Sequence, residues 1–127
     1  MIVSIGVDTA DVERFAKLLA KNRQHLYKTL FCAEELAILP TFSGPREKNY
    51  LAGRWAAKEA VLKVLGTGIG PVTMPEVGVF AEPSGKPSIK LFGNALLEAE
   101  KLNINRWHLS ITHERGLATA FVIGESI

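Results

Sequence analysis

The sequence predicts an α+β fold, a mainly antiparallel sheet packed against one long central helix. Two observations carry this. Leu51 to Leu65 holds good helix formers with no Pro and a single early Gly, while five short β-rich runs lie on either side of it. Turn-rich Glu82–Pro87 and Glu114–Gly116 join those runs in pairs, which favours hairpins over parallel crossovers.

Taken in order, Ile2 to Val7 reads as the first strand, with Gly6 allowing close backbone approach and Asp8 where the strand finishes. Asp11 to about Asn22 is helical, with Val12, Phe15, Leu18 and Leu19 inward and Arg14, Lys17 and Lys21 on a second stripe. Leu26 to Leu39 reads as two short helical pieces around Phe31 and Cys32. Cys is a poorer N-cap than Ser or Thr, so that second start is weak. Glu35 is read as a cap or an internal ion pair. Pro40 to Pro45 is a loop. The central helix starts near Glu47, with Leu51, Trp55, Leu62 and Leu65 on one apolar side, and Gly66 is its stop. Pro71 to Pro75 connects to strands Val77–Phe80 and Ser88–Leu91; a helix from about Asn94 to Leu102 and strands Trp107–Thr112 and Leu117–Ile123 follow, with His113 at the last turn.

A chain of 127 residues with 47% hydrophobic content is expected to form one domain, residues 1–127, with a real core. A net charge of +2 gives no case for nucleic acid, and aromatics are not interleaved with the basic stripe. No run approaches a membrane span, and the amino terminus lacks a signal-peptide pattern. The lone Cys32 excludes an internal disulfide and suits a reducing compartment, so a cytoplasmic location is expected.

The chemistry concentrates in RWAAKEAVLKVLGTGIG, Arg54 to Gly70. Glu59 and Lys63 are four apart and share a helix face. A carboxylate beside a lysine, then Gly66, Thr67, Gly68 and Gly70, fits a site for a metal bound to phosphate; the same spacing also suits an ordinary exposed ion pair and a turn. The glycines are no P-loop, because they follow the helix. The negative end of the helix dipole points at them, so a phosphate there must be held by cations and turn N–H groups. Asp8, not needed as a cap when Thr9 and Asp11 are at hand, is the candidate second carboxylate.

This central motif resembles the signature of bacterial holo-acyl-carrier-protein synthases, the small 4′-phosphopantetheinyl transferases. Ile5-Gly6-Val7-Asp8 with Arg14, and Leu109-Ser110-Ile111-Thr112-His113, resemble the family's terminal motifs. The resemblance implies transfer of the 4′-phosphopantetheine arm of coenzyme A to a serine of apo-acyl carrier protein, in lipid synthesis. It implies Mg²⁺ on Asp8 and Glu59, with Lys63 on the phosphates and Glu59, or a water it orients, as base. Arg54, Lys63, Gly66, Thr67, Gly68 and His113 become coenzyme contacts. Arg14 and Lys21, and less firmly Lys17 and Arg23, become a docking surface for the acidic carrier. A homotrimer with sites at subunit interfaces is implied too. A non-catalytic coenzyme A or nucleotide-binding module is the alternative.

Overall fold

The computed structural model describes all of residues 1–127. The elements run β1 (Ile2–Asp11), α1 (Val12–Leu30), α2 (Ala33–Leu36), α3 (Arg46–Leu65), a 3₁₀ turn (Met74–Glu76), β2 (Val77–Ala81), β3 (Pro87–Leu91), α4 (Gly93–Lys101), β4 (Arg106–Glu114) and β5 (Leu117–Glu125). An antiparallel three-stranded sheet has the order β1-β5-β4, and β2 and β3 form a separate hairpin. The expected α+β architecture and both hairpins are therefore present. No helix is long and apolar enough to cross a membrane.

The central helix α3 begins at Arg46 and stops where the sequence said, with Gly66 left-handed at φ 75° and its N–H donating to the Leu62 carbonyl. Its burial is not a single stripe. Leu51, Leu62 and Leu65 are buried as expected and Trp55 is partly so, but Ala52, Ala56, Ala57, Ala60, Val61 and Val64 are buried too. The helix is enclosed on several sides: the sheet, α1 and the β2–β3 hairpin all pack on it. A helix packed on several sides lacks a single apolar stripe, although Glu59 and Lys63 stay partly exposed.

Helix and sheet approach very closely. A Cβ added to Gly6 on β1 would lie 2.0 Å from the Ala60 carbonyl oxygen, and one on Gly124 of β5 would meet Val64 and Ile104 at 2.9 Å. Glycine lets the β1 and α3 backbones approach at Gly6 and makes room for the Val64 and Ile104 side chains at Gly124.

Two expectations need correction. β1 runs on to Asp11, so Asp8 lies within the strand, paired with Ala120, and Asp11 provides the cap by accepting the Glu13 N–H at 3.0 Å. Helix α1 does break at Asn22 (φ −162°, ψ 91°), as the sequence suggested, but resumes at once. The Asn22 side chain accepts the His25 N–H at 3.0 Å and so restarts the helix, which continues to Leu30.

The sheet's other face is open. Alternation along β1 and β5 turns Val3, Ile5, Val7, Leu117 and Phe121 outward, all exposed in the single chain. Ile5 pairs with Ile123 and Val7 with Phe121, so these four form one apolar patch, which the hydrogen-bonded Thr9–Thr119 pair separates from Leu117.

Candidate active site

Strand β1 and helix α3 bring three of the expected residues together. Lys63 extends from α3 to the sheet, where its Nζ donates to the Val7 carbonyl at 2.8 Å and to Asp8 Oδ1 at 3.0 Å. β1 is the edge strand of its sheet, and the Val7 carbonyl receives this side chain on its open side. Glu59 lies one turn earlier on α3. Burial raises its pKa above the ordinary glutamate value, the nearby Asp8 charge adds to the rise, and Lys63 and Arg14 pull against it. Lys63 thus pairs with Asp8, not with Glu59 as an i,i+4 reading would have it.

The donor set, two carboxylates around one helix turn and one strand, suits a hard divalent cation. No group of three His, Cys, Asp or Glu side chains gathers here or elsewhere. Asp8 and Glu59 are the two carboxylates here that could hold such an ion.

The glycine loop follows directly. Gly66, Gly68 and Gly70 have φ of 75°, 66° and 134°, a backbone that other residues adopt only under strain. The N–H groups of Thr67, Gly68 and Ile69 donate to no protein acceptor, and the buried Thr67 hydroxyl has no partner either. This is a set of donors facing away from the fold's own hydrogen bonding.

Arg54 and His113 lie at the other half of α3. The Arg54 guanidinium sits 4.3 Å from the Tyr50 ring centroid and its buried Nε is unpartnered. His113 is within β4 rather than at the turn; its Nε2 is 2.9 Å from the Asn49 carbonyl, and its ring packs against Gly53. Gly53 to Gly66 spans about 20 Å of helix at about 1.5 Å per residue. One chain therefore does not gather these two residues and the glycine loop into one pocket.

A groove of about 580 Å³ runs along α1 and is closed on the α3 side by Trp55, one turn before Glu59. Arg14, Lys21 and His25 line it, with Leu18, Leu26 and Trp55 as its apolar part. Arg14 lies over the Trp55 ring at 5.2 Å. Lys17 is exposed but does not line the groove. Arg23 is bound to Glu47, which also accepts the Tyr27 hydroxyl at 2.5 Å, so Arg23 is engaged within the fold.

One feature has no signal in the local sequence. Lys58, adjacent to Glu59, is fully buried: its Nζ donates to Glu35 Oε1 at 2.7 Å and to the Met74 carbonyl at 3.1 Å. Glu35 also accepts the N–H of Cys32 and of Val79, each at 3.0 Å. Burial lowers the Lys58 pKa, against the raising pull of Glu35. Glu35 is thus both the cap and the ion pair that its sequence position suggested, and Lys58 belongs to the core rather than to the charged site.

The chain matches known proteins over nearly its whole length. The model of the 4′-phosphopantetheinyl transferase superfamily matches residues 4–122. The holo-[acyl-carrier-protein] synthase of Desulfovibrio desulfuricans is 39% identical over the whole of both chains. The crystal structure of the Neisseria meningitidis holo-[acyl-carrier-protein] synthase, 35% identical, superposes with a TM-score of 0.87 over 99% of this chain and 100% of that one. That of a Bacillus anthracis holo-(acyl-carrier-protein) synthase in complex with CoA (3′,5′-ADP) is 33% identical, with a TM-score of 0.81 over 100% and 99% of the two chains. The chain belongs to the 4′-phosphopantetheinyl transferase superfamily.

Proposed function

We propose that this protein is a holo-acyl-carrier-protein synthase, which moves the 4′-phosphopantetheine arm of coenzyme A onto a serine of an apo-acyl carrier protein. The observation that carries the reading is the Asp8–Glu59–Lys63 arrangement in a chain of this superfamily. The serine oxygen bonds to the phosphorus next to pantetheine, the diphosphate P–O bond breaks, and adenosine 3′,5′-bisphosphate leaves. The serine proton passes to Glu59 or to a water that Glu59 orients. Lys63 supplies a positive charge to the phosphates, and the free N–H groups of Thr67, Gly68 and Ile69 supply donors. Mg²⁺ held by Asp8 and Glu59 would offset diphosphate charge that repels an incoming oxygen.

The groove along α1 is the docking surface for the acidic carrier, with Arg14 and Lys21 as its cations. Three copies of the chain associate through the apolar sheet face, which small domains commonly bury in this way. The separation of Arg54 and His113 from the glycine loop supports a coenzyme site completed by a neighbouring subunit. The unpaired Cys32 supports a cytoplasmic location.

The test is mass spectrometry of an apo-carrier incubated with coenzyme A, Mg²⁺ and the protein. A gain of the phosphopantetheine mass is expected. Asp8→Asn and Glu59→Gln should each slow it about a hundredfold or more. They remove the same object, so the double variant should be scarcely slower than the worse single one. Coenzyme A binding without any transfer would leave only a binding module, and additive losses with unchanged metal dependence would separate the two carboxylates.

A further inference from the structure

The Lys63 ammonium occupies the same carboxylate that the proposed metal site needs. Asp8 is held rigidly: it lies inside β1, paired with Ala120 of β5, and its side chain is only 17% exposed. Lys63 is the movable member, with a flexible stem and a side chain 53% exposed. Its two acceptors, Asp8 Oδ1 and the Val7 carbonyl, are hard oxygens of the type a divalent cation takes. Half-exposed ion pairs are individually weak, so a multiply charged phosphate can draw the ammonium away. The unpartnered donors of the glycine loop begin at Thr67, four residues further along the chain.

We infer that Lys63 is a tethered competitor for Asp8: it keeps divalent metal weakly bound in the free protein and releases Asp8 when phosphate engages it, so that metal and coenzyme bind cooperatively. The inference rests on the metal reading of Asp8 and Glu59 given above. Thermodynamic linkage makes the coupling reciprocal, so coenzyme should tighten metal by the factor by which metal tightens coenzyme. A lysine that only attracted phosphate would not need to contact Asp8 beforehand.

The test measures binding, not turnover. Free Mn²⁺ is titrated by electron paramagnetic resonance against the wild type and Lys63→Met, Lys63→Gln, Arg14→Met and Asp8→Asn, with and without saturating coenzyme A, after circular dichroism has established that each is folded. Without coenzyme A, both Lys63 variants should bind Mn²⁺ about fivefold or more tighter than wild type, and the tightening produced by coenzyme A should shrink in them. Arg14 also acts on the Glu59 carboxylate through its charge but does not contact Asp8. Arg14→Met should therefore tighten Mn²⁺ much less, and an equal gain there would reduce the effect to general charge and overturn the inference. Unchanged or weaker Mn²⁺ binding in both Lys63 variants, with Asp8→Asn still weakening it, would also overturn it while leaving the metal site standing. Mn²⁺ binding indifferent to Asp8→Asn would remove the metal reading itself.

Discussion

Replacing Gly6 by Ala should damage a site that Gly6 does not touch. The new Cβ would fall 2.0 Å from the Ala60 carbonyl oxygen and 3.0 Å from its carbon. Real contacts of this kind stay beyond 3.0 Å, so β1 and α3 must part by about 1 Å. No side chain can rotate to relieve this, because the obstructing atom is backbone in the middle of a helix. Asp8 lies two residues beyond Gly6 on β1, and Glu59 precedes Ala60 on α3, so the same displacement spreads the two carboxylates. Overpacking of this kind typically costs about 1–3 kcal/mol, and a misplacement of about 1 Å at reacting groups can cost about a hundredfold in rate. Urea unfolding and the carrier-modification assay measure the two effects separately. The expected variant is folded, less stable, and slow with excess Mg²⁺ present. Full stability and wild-type rate together would refute the close packing of β1 on α3 as what sets the carboxylate spacing.

Five further outcomes follow from the structure. Lys58→Met leaves Glu35 without its buried counter-charge and should cost about 3–5 kcal/mol in urea unfolding. Lys90→Met, at an exposed pair with Glu34 3.5 Å away, should change stability by no more than about 0.5 kcal/mol. Glu76 has its pKa lowered by hydrogen bonds from Thr73 and the N–H groups of Asn94 and Ala95, which outweigh its desolvation. Its contribution is full above the unfolded value of 4.5 and fades as pH falls through the lower folded value, so Glu76→Gln should destabilise at pH 7 by a solvent-screened capping loss of about 0.5–1 kcal/mol, and by less near pH 3. Charge reversal at Arg14 or Lys21 should raise the KM for carrier and leave that for coenzyme A nearly unchanged; an equal rise in both would place docking elsewhere. Phe121→Glu, in the centre of the apolar sheet face, should convert the proposed trimer to monomer in sedimentation at micromolar concentration.

What the sequence disclosed, and what it withheld, divides by range. Gly66 as a helix stop, Asn22 as a break and Glu82–Lys86 as a hairpin turn depend on a few adjacent residues, whose backbone preferences are local. The length of β1 does not. Its last residues, Thr9 to Asp11, are strand because β5 offers Thr119, Ala118 and Leu117 as partners, more than a hundred positions away. Lys58 is the sharper case. In sequence it is one more charge in a charged helix, and only Glu35, 23 residues earlier, makes its burial tolerable. The Lys63 partner was hidden for the same reason: Glu59 is the neighbour along the helix, but the structure pairs Lys63 with Asp8 of β1.

The three charges on the second half of α3 therefore have three different mechanical characters. Lys58 is fixed on all sides by Glu35, the Met74 carbonyl and the Phe31 ring 5.4 Å away. Glu59, the next residue, points about 100° around the helix from it and inherits a backbone that cannot shift. Lys63, one turn later, is half in solvent and held by two contacts that a stronger anion can replace. The proposed site, which would hold its carboxylates still while exchanging phosphates, calls for this division: rigid anions and a movable cation. Reversing it, with a buried Lys63 or an exposed Lys58, would give either a site closed to metal or carboxylates free to drift apart.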